Sequence, residues 1–405
     1  MVTQFKQPNT PKIRNMKLLY NLIRNFGPIT KSSIIDKTGL KQTTCSRVID
    51  DLLQESLIKE SGVAKSSGGR KPVMYDLNNR LYYCIGIDIS RTFTKVLLLD
   101  LHLNVIDEAR LSMTKEGTPA DTIDFISQTI VQMVGNNKIG KSQLIGIGIG
   151  AVEPLDRKKG IIVDPVNFPN KQWKNVNIVD ALQDKFDTKI ILDSGINSAV
   201  LAENQIGLDG VIGNLSYIIA GMGIRIGVMI DQRLLKSEAD RFGKFGSGHM
   251  VINTSGRKCI CGKYGCFHTY STIPALKEEI AHQLKLGNVS MLDDVGADPD
   301  EVEFEDICKA IEAGDPLCQA TIKSFGYLTG IGIANMMTLL YSDYFVLSGP
   351  MFNRIDLFYE TAVEAATKRI QELYPGFEVR FGRGHLGENA AAIGAGSMVI
   401  NYYLD

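Results

Sequence analysis

The chain has 405 residues, 44% hydrophobic and 22% charged, with a formal net charge of −1. That length allows two or three domains with a sizeable core, and no apolar run nears the ~18 residues of a membrane span. The polar start, "MVTQFKQPNTPKIRN", has no signal-peptide core, so a cytoplasmic protein is expected. In such a chain, three of seven cysteines crowded into "CICGKYGC" point to metal or redox use and not to a disulfide framework.

The charge is unevenly spread. Residues 1–80 carry fourteen Lys and Arg against six Asp and Glu, which leaves the remainder strongly acidic. A basic head on an acidic body is the pattern of a nucleic-acid-binding module joined to something else. Within the head, "NMKLLYNLIRNFG" places Met16, Leu18, Leu19, Leu22, Ile23 and Phe26 near helical spacing. Gly27-Pro28 ends that helix. Thr30 stands as the N-cap of a short second helix that Gly39 closes, and a third helix follows with Cys45, Val48, Ile49, Leu52 and Leu53 as its buried stripe. This is a helix-turn-helix pattern. Its last helix offers Lys41, Gln42, Thr43, Thr44, Ser46 and Arg47, side chains able to bond phosphates and base edges in a major groove of double-stranded DNA. "SLIKESGVAKSSGGRKPVMYDLN" then reads as a two-stranded wing, with Arg70 and Lys71 suited to reach a phosphate backbone or minor groove. A three-helix unit with no DNA role shares the apolar pattern, so the polar helix start and the charge carry the DNA reading.

From residue 82 the pattern changes. "YYCIGIDIS", "KVLLLDL" and "LIGIGIGAVEP" are near-continuously apolar, as buried strands are. Helical stretches such as "PADTIDFISQTIVQMVG" separate them, and the alternation recurs through "KIILDS", "NLSYIIAGMGIRIGVMID" and "YFVLSG". Two α/β lobes are expected, each built on a sheet. The boundaries read as 1–80 for the head, 81–195 for the first lobe and 196–405 for the second.

"GIDISRTFTKVLLLD", "GMGIRIGVMID" and "VLSGP" resemble the two phosphate loops and the adenosine loop of an ATP-dependent sugar kinase. "GHMVIN" followed by "CICGKYGCFH" resembles the signature of the ROK family (repressors, open reading frames and sugar kinases). With the head and the "GRKP" wing, the chain resembles the repressor branch of that family over nearly its whole length. The resemblance implies a winged helix-turn-helix followed by a two-lobed actin-like ATPase, or sugar-kinase, fold.

Departures from the family pattern bear on activity. The first phosphate loop, Asp-x-Gly-Gly-Thr in the kinases, is Asp88-Ile89-Ser90-Arg91-Thr92, without the glycines that admit phosphate closely. The second is Gly221-Met222-Gly223-Ile224-Arg225, whose arginine fills nucleotide space or holds a phosphate. Where the kinases carry Asn-Asp before Ala-Asn, this chain has Ser194-Gly195-Ile196-Asn197, and glycine cannot act as a general base. A protein without kinase activity is therefore expected. The alternative is an active sugar kinase fused to a DNA-binding head.

The resemblance also implies a structural zinc held by His249, Cys259, Cys261 and Cys266, one imidazole and three thiolates in a closed tetrahedral set. A redox pair or buried free thiols are the rival readings. In the family this loop fixes sugar-contacting residues. Here Gly246 and His268 replace two glutamates, the Pro-Gly-Pro-Val-like loop is Val152-Glu153-Pro154-Leu155, and Asn167 matches a sugar-side asparagine. Glu153, Asn167, Ser194, His249 and His268 are thus the candidate effector contacts, for a different sugar or a sugar derivative. A vestigial site governed by a protein partner, or constitutive DNA binding, would also fit. His102, His282 and His385 lack ligand spacing and read as surface or cap residues. Trp173 either stacks on a sugar or closes a loop. Because one winged helix contacts few base pairs, a homodimer or dimer of dimers is expected on a two-fold operator. "ATIKSFGYLTGIGIANMMTLL" is apolar on more than one face, mostly for packing inside the second lobe.

Overall fold

The computed structural model describes Phe5 and residues 10–64, 71–208, 210–236, 246, 248–292 and 301–404. Helix α1 (Pro11–Phe26) starts where the Thr10 side chain accepts from the Ile13 N–H at 3.3 Å, with proline in the first turn. Its buried face is Ile13, Met16, Leu19, Tyr20 and Ile23. Leu18 and Phe26, apolar residues of the same run, are 46% and 40% exposed. At about 100° per residue Leu18 points some 150° away from that stripe, so the run of leucines overstated its width.

Strand β1 (Ile29–Thr30), α2 (Lys31–Thr38) and α3 (Gln42–Gln54) follow. Thr30 caps α2, and Gly39 ends it at a φ of 66°, in the left-handed region that glycine enters freely. Strands β2 (Ile58–Val63) and β3 (Val73–Leu77) pair antiparallel, and β1 closes the other edge of β3. Three helices and a three-stranded wing are the winged helix-turn-helix.

The first lobe is a five-stranded sheet in the order β11-β7-β4-β5-β6, from β4 (Tyr83–Ile89), β5 (Phe93–Asp100), β6 (Val105–Ser112), β7 (Leu144–Ala151) and β11 (Lys189–Ser194). Helix α4 (Pro119–Asn136) leads into β7. A small sheet of β8 (Leu155–Asp156), β9 (Ile161–Ile162) and β10 (Val176–Asn177), then α5 (Ile178–Gln183), stands between β7 and β11. Helix α6 (Gly195–Ala202) leaves β11 and runs into a π-helical turn, Glu203–Gly207. Ile85, Ile87, Ile89, Ile126, Ile130, Leu155 and Trp173 belong to one core.

The second lobe repeats the same succession. Its sheet runs β14-β13-β12-β15-β16, from β12 (Leu215–Ala220), β13 (Ile224–Ile230), β14 (Arg233–Leu234), β15 (Tyr344–Ser348) and β16 (Arg380–Gly382). In each sheet the first three strands are antiparallel and the last two are added in parallel. Helices α7 (Ile273–Lys285), α8 (Phe304–Glu312), α9 (Pro316–Leu340), α10 (Pro350–Arg354) and α11 (Asp356–Leu373) complete this lobe, and α12 (Ala390–Leu404) ends the chain. The long apolar helix α9 sends Ile322, Phe325, Ile333 and Met337 into the lobe's core, as its packing role required.

The chain divides into two compact units, Met1–Gly210 with Glu388–Asp405, and Val211–Gly387. A division at 195/196, expected from the sequence, does not match this. Helices α6 and α12 both belong to the first unit, because α12 packs its small residues directly on the first sheet. A Cβ on Gly148 of β7 would collide with the Ala395 carbonyl, and one on Gly394 with the Ser198 carbonyl of α6. Such backbone-to-backbone packing needs glycine. The head shares this unit with the first lobe. Among the described residues no helix is long and apolar enough to cross a membrane.

Candidate functional site

At the start of α3, Lys41, Gln42, Thr43 and Arg47 are exposed, while Thr44 and Ser46 are half-buried. Cys45, Val48, Ile49 and Leu52 anchor the opposite face. No side chain caps α3, so the first N–H groups of that helix meet solvent. Ser46 is turned inward: it donates to the Gln42 carbonyl at 2.9 Å and accepts from Lys31 Nζ at 3.1 Å. Lys31 was not singled out from the sequence; it stands at the first position of α2 and reaches α3 through Ser46. Lys71 is exposed beside the wing, and Arg70 lies outside the described residues.

The expected effector contacts fall into two groups. In the first unit Glu153, 5% exposed, and Asp193, 5% exposed, both pair with Arg157 at 2.8 Å. Asp193 also accepts from the Ser194 N–H at 2.7 Å and from Asn197 Nδ2 at 3.1 Å. The backbone of Ser194 is thereby tied to the ion cluster, and its buried side chain begins α6 without capping it. Asn167 is exposed, at a φ of 60°. It belongs to the same loop as Val166, whose carbonyl accepts from Arg91 Nε at 2.8 Å. Trp173 is buried and packs on Phe168 with ring centroids 5.3 Å apart, so its ring closes the loop from within.

Beside this cluster lies Asp88, the residue that opens the first phosphate-loop-like turn. It is 8% exposed, and a Cβ on Gly195 would come within 3.6 Å of its Oδ1. Burial raises its carboxyl to about 7, against the pull of Lys95 and with a push from Glu388. Lys95, equally buried, donates to Asn389 Oδ1 at 2.6 Å and pairs with Glu388 at 3.7 Å. Arg157, Asp193, Lys95 and Asn389 were missed by the sequence reading. Asp193, at the carboxyl end of a parallel strand, was detectable from where ligands sit in α/β sheets.

In the second unit, His249, Cys259, Cys261 and Cys266 bring their donor atoms within 4.8 Å of one another. The loop is built by short backbone bonds: Gly262 N–H to the Cys259 carbonyl at 2.8 Å, Cys259 N–H to the Lys263 carbonyl at 2.7 Å, and Gly265 N–H to the Arg257 carbonyl at 2.8 Å. Gly262 and Gly265 turn it at φ values of 82° and 69°, as their type suggested. Cys261 Sγ and Cys266 Sγ are 3.7 Å apart, and His249 Nδ1 and Cys259 Sγ 3.5 Å. These match the edges of about 3.5–3.8 Å of a tetrahedron with metal–sulfur bonds near 2.3 Å and metal–nitrogen bonds near 2.0 Å. The four residues fit a metal ion. Burial pushes the Cys259 thiol up and the Cys266 thiol up to about 12, whereas the Lys263 backbone lowers Cys261. A coordinated metal overrides that cost, because thiolates are its ligands.

His268, 8% exposed, stacks on His249 with centroids 5.8 Å apart, and its N–H donates to the Gly248 carbonyl at 2.8 Å. Burial, then the charge of Arg225, lowers the pKa of His249. Arg225 is half-buried on β13, opposite Ile219. The second unit thus joins the expected metal ligands and His268 in one cluster.

A family model described as the ROK family matches residues 84–401. The xylose repressor of Bacillus subtilis (strain 168) is 28% identical over 395 residues, covering 96% of each chain. The DNA-binding transcriptional dual regulator NagC of Escherichia coli (strain K12) is 25% identical over 338 residues, 83% of this chain and 80% of its own. Among solved structures, a ROK family transcriptional regulator homologous to the E. coli MLC protein aligns with a TM-score of 0.77 at 22% identity, covering 97% of both chains. The ROK hexokinase from Thermus thermophilus aligns with a TM-score of 0.64 at 21% identity, covering 79% of this chain and 99% of its own. The likenesses agree with the repeated sheet order: the fold is a winged helix-turn-helix followed by a two-lobed actin-like body. With the family model spanning the greater part of that body, the chain belongs to the ROK family.

Proposed function

We propose that this chain is a transcriptional repressor of carbohydrate-related genes. In this reading residues 1–80 read an operator, and the ROK body answers to a sugar or sugar derivative. The observation that carries it is α3, whose one face is locked into the head while Lys41, Gln42, Thr43 and Arg47 stand exposed at its open end. Relatives named as repressors, similar over 96% of the chain, support the same reading.

The body acts as a sensor and not as a kinase. Gly195 offers no carboxylate to take a proton from a sugar hydroxyl, and the turn after Asp88 has side chains where phosphate needs bare backbone. Glu153, Asn167, Ser194, His249 and His268 are the proposed effector contacts. Three thiolates and one imidazole are a zinc donor set, and four protein ligands leave no open coordination position. Zinc there supplies folding energy to its loop. A homodimer, or a dimer of dimers, would present two heads to a two-fold operator.

Selection of genomic fragments by the full-length protein should enrich a defined site. On that site Arg47→Ala or Gln42→Ala should weaken binding by about 1–3 kcal/mol, while Lys71→Ala should flatten the salt dependence. A sugar panel assayed for ATP turnover separates the rival: robust sugar-dependent ADP release would establish a kinase, and failure to enrich any fragment over random DNA would remove the repressor reading.

A further inference from the structure

Arginine is seldom buried without a purpose-built set of acceptors. Arg24, in the last turn of α1, is 8% exposed. Its Nη1 donates to Asn401 Oδ1 at 2.8 Å; its Nη2 donates to Ser397 Oγ at 3.1 Å and to Gln205 Oε1 at 3.3 Å. Ser397 Oγ in turn donates to Gln205 Oε1 at 2.5 Å. One guanidinium therefore joins the first helix of the head to two elements that are remote in sequence, the π-helical turn after α6 and the C-terminal helix α12.

Both elements begin at the candidate site of the first unit. The π turn continues α6, whose first residues are Gly195 and, at the cap, Ser194, bonded to Asp193 of the Arg157 cluster. Helix α12 follows Glu388 and Asn389, the partners of Lys95 beside Asp88. The two helices have no room to slide independently, since Gly394 of α12 rests on the Ser198 carbonyl of α6. Close-packed elements of this kind transmit displacement instead of absorbing it. A π turn, held here by the Leu208 N–H bond to the Glu203 carbonyl at 2.8 Å, carries an extra residue per turn and recurs at functional sites.

We propose that Arg24 is a positioning residue that couples the head to the Ser194–Gly195 and Lys95–Asn389 ends of α6 and α12. A ligand that moves those ends shifts the head through this guanidinium. The consequence for transcription rests on the repressor reading above; the coupling itself does not, and it is measured without DNA or effector.

The experiment is a double-mutant cycle in the full chain, read by hydrogen–deuterium exchange. Gly195→Asp perturbs the far end of α6, where a Cβ has room but a carboxylate meets Asp88. It should change exchange of amides 15–26 of α1 at least five-fold, the lower end of typical site–site coupling. With Arg24→Lys, which keeps the charge but cannot span three acceptors, that change should fall below two-fold. Ser397→Ala with Asn401→Ala, which removes acceptors from the body side, should act like Arg24→Lys and covers the case in which the head variant folds poorly. His102→Ala is the control for looseness alone, because it cuts a separate head contact, His102 Nε2 to Asp76 Oδ1 at 3.1 Å; Gly195→Asp must keep its full effect there. An equal response to Gly195→Asp with and without Arg24, or none in either, would overturn the coupling. A coupled head that enriches no DNA site would instead count against the repressor reading alone.

Discussion

In the second unit, four donor atoms from residues 249 to 266 lie within 4.8 Å, and two of the thiols there are pushed up by burial. In the first unit, one guanidinium, Arg157, pairs with both Glu153 and Asp193, and Asp193 is bonded further by the Ser194 N–H and Asn197 Nδ2. The cysteine loop thus gathers three thiols and an imidazole, a donor set whose thiolates a bound metal ion would stabilise. The arginine cluster draws its countercharge from a side chain, one guanidinium shared by two buried carboxylates. The difference teaches where each unit would be vulnerable: the second to loss of a bound metal ion, the first to loss of one side chain.

The largest effect should come from breaking the cysteine loop. Cys266→Ser should lower bound metal from about one ion per chain to near zero by elemental analysis. It should cost the second unit several kcal/mol, since binding energy at such a site is folding energy. Protease resistance of the first unit should persist; cleavage throughout the chain would show that the two units do not fail separately.

Arg157→Met should come next. It leaves two buried carboxylates facing each other, and removing one partner of a buried ion cluster typically costs about 3–5 kcal/mol in urea unfolding. Adding Glu153→Gln and Asp193→Asn should recover much of that loss. A single variant as stable as the parent protein would mean that solvent already compensates the pair.

The smallest effect at any one pH step, and the most specific, is a pH slope. Asp88 titrates near 7 in the fold against an ordinary value of 3.8. Between those values the folded state holds a proton that the unfolded chain has released, so its contribution falls as pH rises from about 4 to about 7. The slope from this one group is at most about 1.4 kcal/mol per pH unit. Asp88→Asn should remove that slope and leave the protein more stable at pH 8; an unchanged profile would place the pH dependence elsewhere, with the cysteine loop the first alternative.

Much of the head was legible because its signals are local. Thr30 and Gly39 bracket α2 as their side chains and backbone freedom dictate, and the stripe from Cys45 to Leu52 needed only helical spacing. The width of α1's buried face was not legible from apolar character alone, since Tyr20 fills the core and Leu18 faces out. In the body the strands were readable from their apolar runs. The role of α12 was not: whether a run of small residues packs on the first or the second sheet depends on contacts across two hundred residues and more.

The sequence by itself determined the basic head, the strand and helix succession, and the candidate metal-ligand set, since each depends on residues close to one another in the chain. Only the tertiary structure decided that Glu153 and Asp193 meet at Arg157, that Asp88 is buried beside Gly195 and Lys95, and that Arg24 reaches Gln205, Ser397 and Asn401. Burial and charge pairing at those places come from how sheets and helices stack, and no local spacing rule encodes which distant side chain will supply the countercharge.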